Sequence, residues 1–273
     1  MADLLSIAAL AIAVLMLITW VVSVVIDDAS IVDIIWGLGF VIAVWAAYPA
    51  SPVDAPTDRA LLMAVLVTVW GLRLTGYLFW RNRGKGEDRR YQQMRRKTPD
   101  NFWLVSLYKV FGLQAVLMWV VAVPAIVTWA SDSPLFWLDY VGVGLWLIGL
   151  VFESVGDIQL ARFKSRPDSK GRVMDRGLWR YTRHPNYFGD FCVWWGMYLV
   201  AAAGGAWWTV FSPIVMSALL IRYSGAGLLE KTITRRRPGY EEYIRTTNAF
   251  FPGPAKHDRQ TASGPPTTER PDQ

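Results

Sequence analysis

The chain has 273 residues, of which 53% are hydrophobic and 15 are tryptophan, and it carries a formal net charge of +6. That apolar share exceeds the roughly 45–50% of soluble domains, and the excess lies in long runs, which excludes an ordinary soluble domain. The lone cysteine, Cys192, excludes an intrachain disulfide. The basic excess speaks for membrane topology and anionic lipid, and no folded basic module argues for a nucleic-acid partner.

The first run, "LLSIAALAIAVLMLITWVVSVVI" (residues 4–26), is uncharged and longer than the roughly 20 residues a bilayer requires. Its acidic start, "MAD", and its length past the roughly 7–15 residues of a signal core argue against a cleaved leader. Further apolar runs follow at about 31–48, 60–80, 102–129, 138–160, 187–203 and 207–221, the last interrupted by Pro213. The expectation is an all-α, polytopic membrane protein, a bundle of seven transmembrane helices. Six spans would remain if 187–221 were a re-entrant pair. Residues 1–252 read as one membrane domain, with 138–252 as its cofactor half. The polar, Pro-rich tail at 253–273 reads as disordered and cytoplasmic.

Residues 81–100 and 161–185 hold eight Lys/Arg each, and 222–273 hold nine, leaving Arg59, Arg73 and Lys109 of the 28. Seven crossings put all three basic segments on one side, which the positive-inside rule makes cytoplasmic. The expected location is therefore the cell (inner) membrane, with the amino terminus outside and the carboxy terminus in the cytoplasm.

A charge at the centre of a span costs about 2.5–3.5 kcal/mol on insertion scales, so such residues need partners or a wet cavity. Asp33, Arg73, Lys109, Glu153, Asp157 and Asp190 fall in or beside apolar runs. Glu153, Asp157, Ala161 and Lys164 recur at helical spacing and share one face. In "RYTRHPNYFGDF" (residues 180–191), Pro185 marks a helix start, and Asn186 and Tyr187 fall in the first turn, where free backbone donors attract anions. Arginines interleaved with Trp179, Tyr181 and Tyr187 suit phosphates and flat rings, though headgroup anchoring uses the same residues. No GxGxxG follows a strand, and no CxxC, HExxH or GxSxG occurs, so no Rossmann, zinc or serine-hydrolase site is expected.

Three stretches carry a family resemblance: "VDIIWGLGF" with "WGLRLTGYLFWRNRGKGEDRRY"; "GDIQLARFK" with "GLWRYTRHPNYFGDFCVWWGMYL"; and "IRYSGAGLLEKTITRRRPGYEEYIRTTNAFFP". The chain resembles bacterial members of the steroid 5-alpha-reductase C-terminal-domain family. The resemblance implies NADPH-dependent reduction of a carbon–carbon double bond conjugated to a carbonyl, inside a seven-helix bundle. It implies cofactor contacts at Asp157, Lys164, Tyr181, Asn186 and Arg222, with Glu230 at a position where the steroid enzymes carry a tyrosine. Arg183, His184 and Tyr187 join this set from the same quoted stretch. Trp70 stands where the steroid enzymes carry the tyrosine that polarises the substrate carbonyl. That shifts the expected catalytic group to Asp33, Arg73 and Tyr77.

The function these readings imply is an oxidoreductase acting on CH–CH groups of a lipophilic, steroid- or isoprenoid-like small molecule drawn from the bilayer. Two alternatives remain beside it. "RHPNYFG" is also similar to the S-adenosylmethionine-binding segment of isoprenylcysteine carboxyl and phospholipid methyltransferases, although Leu229-Glu230-Lys231 breaks their paired glutamates. A non-catalytic lipid-binding protein is the other.

Overall fold

The computed structural model describes residues 1–169, 171–223 and 239–254, and within them the regular structure is helical. The helices are α1 (Ala2–Val25), α2 (Ile31–Ala47, extended by a 3-10 turn to Ala50), α3 (Asp58–Asn82), α4 (Arg89–Lys97) and α5 (Phe102–Ala130). They continue with α6 (Trp137–Lys164), α7 (Pro185–Ala203), α8 (Phe211–Ala218) and α9 (Tyr240–Thr246). Five of them, α1, α2 with its turn, α3, α5 and α6, are long and apolar enough to cross a membrane. Leu10, Leu17 and Ile18 of α1 are more than half exposed, as side chains facing lipid would be. The protein is thus an all-helical, multi-pass membrane protein. The last two expected spans are present as α7 and as a shorter apolar helical segment, Trp207–Ile221, and neither is among the five.

Local chemistry sets the ends. The Thr57 hydroxyl accepts the Ala60 N–H at 3.3 Å and caps α3, while the Asp88 carboxylate accepts the Arg90 N–H at 2.9 Å and caps α4. Arg95, Arg96 and Lys97 close α4 where the helix dipole favours cations. Pro185 opens α7, where its missing N–H costs nothing. Within α5, residues Leu107–Gly112 widen to π-helical pairing.

Two compact units divide the chain: Met1–Leu150 with Asp190–Ala218, and Val151–Gly189 with Leu219–Gln273. In the first, small residues let backbones touch, the packing mode available where lipid removes the hydrophobic drive between helices. A Cβ on Gly71 of α3 would lie 2.5 Å from the Gly37 carbonyl oxygen of α2, and one on Gly196 of α7 would lie 2.6 Å from the Gly142 carbonyl of α6. Between these crossings sits an aromatic core. Trp70 and Trp194 meet edge-on at 5.2 Å, and Phe40 lies 4.8 Å from Trp194. Trp70 is fully buried there, which makes it a core residue.

The end of this unit where α3 and α6 begin is closed by a buried ion pair that the sequence reading passed over. Arg59 and Asp139 are both 0% exposed. Arg59 donates from Nε to Asp139 Oδ1 at 2.9 Å and from Nη2 to Oδ2 at 2.8 Å, the bidentate fork geometry. Its remaining donors reach the Ser131 and Ser133 hydroxyls and the carbonyls of Ser133 and Pro134. Asp139 also accepts the Phe136 N–H at 2.9 Å. The pair fastens the loops after α2 and α5, which touch again where Thr57 donates to the Ser131 carbonyl at 3.0 Å.

Candidate functional site

At the opposite end of the first unit, the Gly37–Gly71 crossing fixes the register of α2 against α3. Asp33 lies one turn before the crossing, and Arg73 and Tyr77 lie about half a turn and one and a half turns beyond it. Because the two helices run antiparallel, all three expected catalytic residues fall at the same end. Arg73 and Tyr77 are half-buried. Tyr77 stacks at 6.1 Å on Trp80 and lies under the Arg81 guanidinium at 5.6 Å.

The partners of Asp33 come from α4. Its carboxylate accepts from Arg90 Nη2 at 2.6 Å and from the Tyr91 hydroxyl at 2.8 Å. Gln114 of α5 donates to the same phenol oxygen at 3.3 Å. Tyr91 is 6% exposed, and burial together with the Asp33 carboxylate pushes its phenol well above the ordinary value. Arg90 is also held by Asp88 at 3.0 Å. The result is a carboxylate–phenol–amide chain from three helices, with a cation on its exposed side.

A second clamp fixes α4 beneath this chain. Glu87 accepts two hydrogen bonds from Arg95, at 2.8 and 3.1 Å, and the Ala29 N–H at 3.0 Å. Arg95 also pairs with Asp27 and covers the Phe102 ring at 4.3 Å. Asp27 has φ of 56°, which lets the chain turn sharply between α1 and α2. The "GKGEDRRY" stretch is therefore built to hold Arg90 and Tyr91 against Asp33. Sequence reading missed both, because the spacing from residue 33 to residues 90 and 91 carries no periodic signal. The one hint was a charged, tyrosine-bearing helix too polar to span a bilayer.

The second unit holds the expected cofactor residues. Gly156 brings α6 against the start of α7: a Cβ there would lie 3.2 Å from the Asn186 backbone nitrogen and from Pro185. That contact sets the Asn186 amide beside the Asp157 carboxylate, with Nδ2 donating to Oδ1 at 3.2 Å. Asp157 and Glu153 are 5% and 4% exposed, and Asn186 is half-buried. His184, 4% exposed, stacks on Tyr187 with centroids 5.5 Å apart and planes 7° off parallel. Tyr181 and Lys164 are exposed.

Arg183 is also tied to the backbone. It is 7% exposed, and its Nη1 donates to the carbonyls of Ile244 and Thr247, at 3.1 and 2.7 Å. Its N–H donates to Asn248 O at 2.9 Å, and the Thr182 hydroxyl donates to Phe250 O at 2.7 Å. Trp179 donates to the Gly156 carbonyl at 3.1 Å. These bonds clip α9 and the segment after it onto the loop before α7. Arg222 (as to its side chain), Glu230 and the tail beyond residue 254 lie outside the described residues.

The fold and this polar architecture define a class: a multi-pass helical membrane protein with two fastened polar clusters. Residues 19–247 match the family described as "Protein of unknown function (DUF1295)", and the chain belongs to that family. It is 27% identical over 265 residues to "Uncharacterized protein C594.04c" of Schizosaccharomyces pombe, covering 85% of this chain and 75% of that one. No solved structure matches.

Proposed function

We propose that the protein is a membrane-embedded, NADPH-dependent reductase of the carbon–carbon double bond of an enone in a lipophilic, steroid- or isoprenoid-like substrate. The observation that carries this reading is the Asp157–Asn186 pair at the head of α7. A carboxylate and a primary amide together offer an acceptor and a donor, the complement of a carboxamide such as that of nicotinamide. Asp157, Asn186 and the neighbouring Tyr181 would hold that ring, and the cofactor would supply the hydride. Asp33, Arg90 and Tyr91 would serve the substrate oxygen: the phenol O–H and the guanidinium are donors suited to negative charge developing there, typically worth about 3–4 kcal/mol for one such donor. Arg73 and Tyr77, at the same end of α2 and α3, would complete the group.

The finer topology belongs to the same proposal. Seven crossings, with α7 and the Trp207–Ile221 segment as the last two, would place the amino terminus outside and the three basic segments in the cytoplasm of the cell that makes the protein.

One observation favours a second reading. The parallel His184–Tyr187 stack lies in the stretch that resembles S-adenosylmethionine-binding segments. Comparing the two cofactors for thermal stabilisation of the purified protein separates the readings. A ligand at 100 times its dissociation constant adds about 2.7 kcal/mol. Stabilisation by NADPH, lost in Asn186→Ala, supports the reductase; stabilisation by S-adenosylmethionine alone overturns it.

A further inference from the structure

The loop between α6 and α7 encloses a cleft of about 620 Å³ within the second unit. Its walls carry four arginines, Arg162, Arg166, Arg172 and Arg176, against two carboxylates, Asp168 and Asp175. Arg172 lies 3.5 Å from Asp168, and Arg176 lies 3.9 Å from Asp175. No hydrogen bond or ion pair among the described residues engages the guanidinium of Arg162 or Arg166. Arg162 lies in the last turn of α6 and Arg166 two residues past its end, so two like charges line the same cleft, where a bound anion would offset their repulsion.

The cleft is preformed. Gln159, one turn before Arg162 and Phe163, accepts the Leu178 N–H at 3.0 Å and so pins the far end of the loop to α6. Gly177 has φ of 61° at that point, and a side chain there would collide with Gln159. Trp179, buried and bonded to the Gly156 carbonyl, holds the next turn. Between the arginines the lining is apolar: Phe163, Val173 and Met174, each half-buried.

We infer that this cleft is a binding site for a phosphate-bearing ligand with a flat apolar group beside the phosphate. Two uncommitted guanidiniums on the wall of one cleft suit bidentate contact with a phosphate dianion, and the Phe163 face suits a ring. The arginine forks favour an anionic group over a neutral or cationic one. The source of the phosphate is a soluble nucleotide or an anionic lipid headgroup. Only the nucleotide source rests on the reductase reading.

The experiment uses the full chain in nanodiscs of phosphatidylcholine, titrated with adenosine 2′,5′-bisphosphate and, separately, with adenosine. The bisphosphate should bind, adenosine should not, and Arg162→Ala/Arg166→Ala should weaken the bisphosphate by about tenfold or more, the scale of lost charge-assisted bonds. Arg162→Lys/Arg166→Lys should recover part of that loss. Both positions are exposed, and circular dichroism confirms that the variants fold. Equal affinity in wild type and the alanine variant overturns the inference, as does binding of adenosine as tight as that of the bisphosphate.

Repeating the titration in phosphatidylglycerol nanodiscs assigns the source. Competition in the wild type that disappears in the alanine variant marks a lipid headgroup, and no competition marks a nucleotide. NADPH titrated against Asn186→Ala keeps the two proposals apart. NADPH binding that needs Asn186 but ignores the arginines overturns the cleft alone. Bisphosphate binding that needs the arginines, with no NADPH binding, overturns the reductase alone.

Discussion

Single side chains decide where the charges rest. Arg59 is the clearest case, because a guanidinium with no exposure persists only when every donor is met. Removing one partner of such a pair typically costs about 3–5 kcal/mol, whereas replacing both with apolar residues is often close to neutral. Arg59→Met and Asp139→Leu should each lower stability by that amount, and the double variant should recover much of it. A double-mutant cycle by denaturant unfolding in detergent reads the coupling, and additive single losses would refute it.

Tyr91 carries a pH signature with a definite sign. Its phenol pKa is raised in the folded protein from an ordinary value of 10.0, by burial first and then by the Asp33 carboxylate. Folding therefore favours the protonated phenol. That contribution is fully present below pH 10.0 and is lost as pH rises from there toward the raised folded value. Relative to Tyr91→Phe, the wild type should show flat stability up to about pH 10, then a decline approaching 1.4 kcal/mol per pH unit. Parallel curves for the two proteins above that pH would show that Tyr91 does not gain from its burial. On the proposed reductase reading, Tyr91→Phe at neutral pH should retain NADPH binding and lose turnover by about 10²–10⁴-fold, the range for a positioned proton donor.

At the scale of the helices, small residues set distances that the polar groups depend on. A side chain at Gly37 or Gly71 would strike the facing backbone carbonyl. Gly71→Val should separate α2 from α3, cost about 1–3 kcal/mol by overpacking, and weaken the Asp33 cluster along with the fold. Gly144→Ala on α6 is the control, since nothing lies within 4 Å of its added carbon. Thermal unfolding of both variants checks this, and equal midpoints would sink it. The same logic explains α4. Its sequence "RRYQQMRRK" announces a short polar helix with a basic end, but not that Glu87 and Arg95 clamp it to the α1–α2 turn. The clamp joins residues about sixty positions apart, and local pattern is blind to such pairings.

At the scale of the molecule, the five long apolar helices would alternate in direction if each crosses once. On the proposed topology, they would put the loops at 83–101 and 165–184 on the cytoplasmic side of the membrane, and those at 51–57 and 131–136 on the other. Cys192 is buried, so a Cys192→Ser background gives a clean labelling experiment. Cysteines at Lys85 and Arg172 should react with an impermeant thiol reagent only after the cell is opened, and those at Asp54 and Asp132 in intact cells. The reverse pattern would invert the orientation, and a cysteine in the tail separates six crossings from seven.

Helix content, the long apolar runs and the gathering of positive charge are properties of neighbouring residues, so the sequence alone determined an α-helical membrane protein and most of its helix bounds. The adjacency of Asp157 and Asn186 was half legible, since helical spacing and the helix start at Pro185 put each near a terminus. Only the tertiary structure decided which charges meet. It gave Asp33 to Arg90 and Tyr91, turned Arg183 toward backbone carbonyls, buried Trp70 in an aromatic core, and closed Arg59 on Asp139. The physical reason is range: hydropathy acts over one turn of helix, whereas a buried charge is satisfied by whatever donor the packing of distant helices delivers.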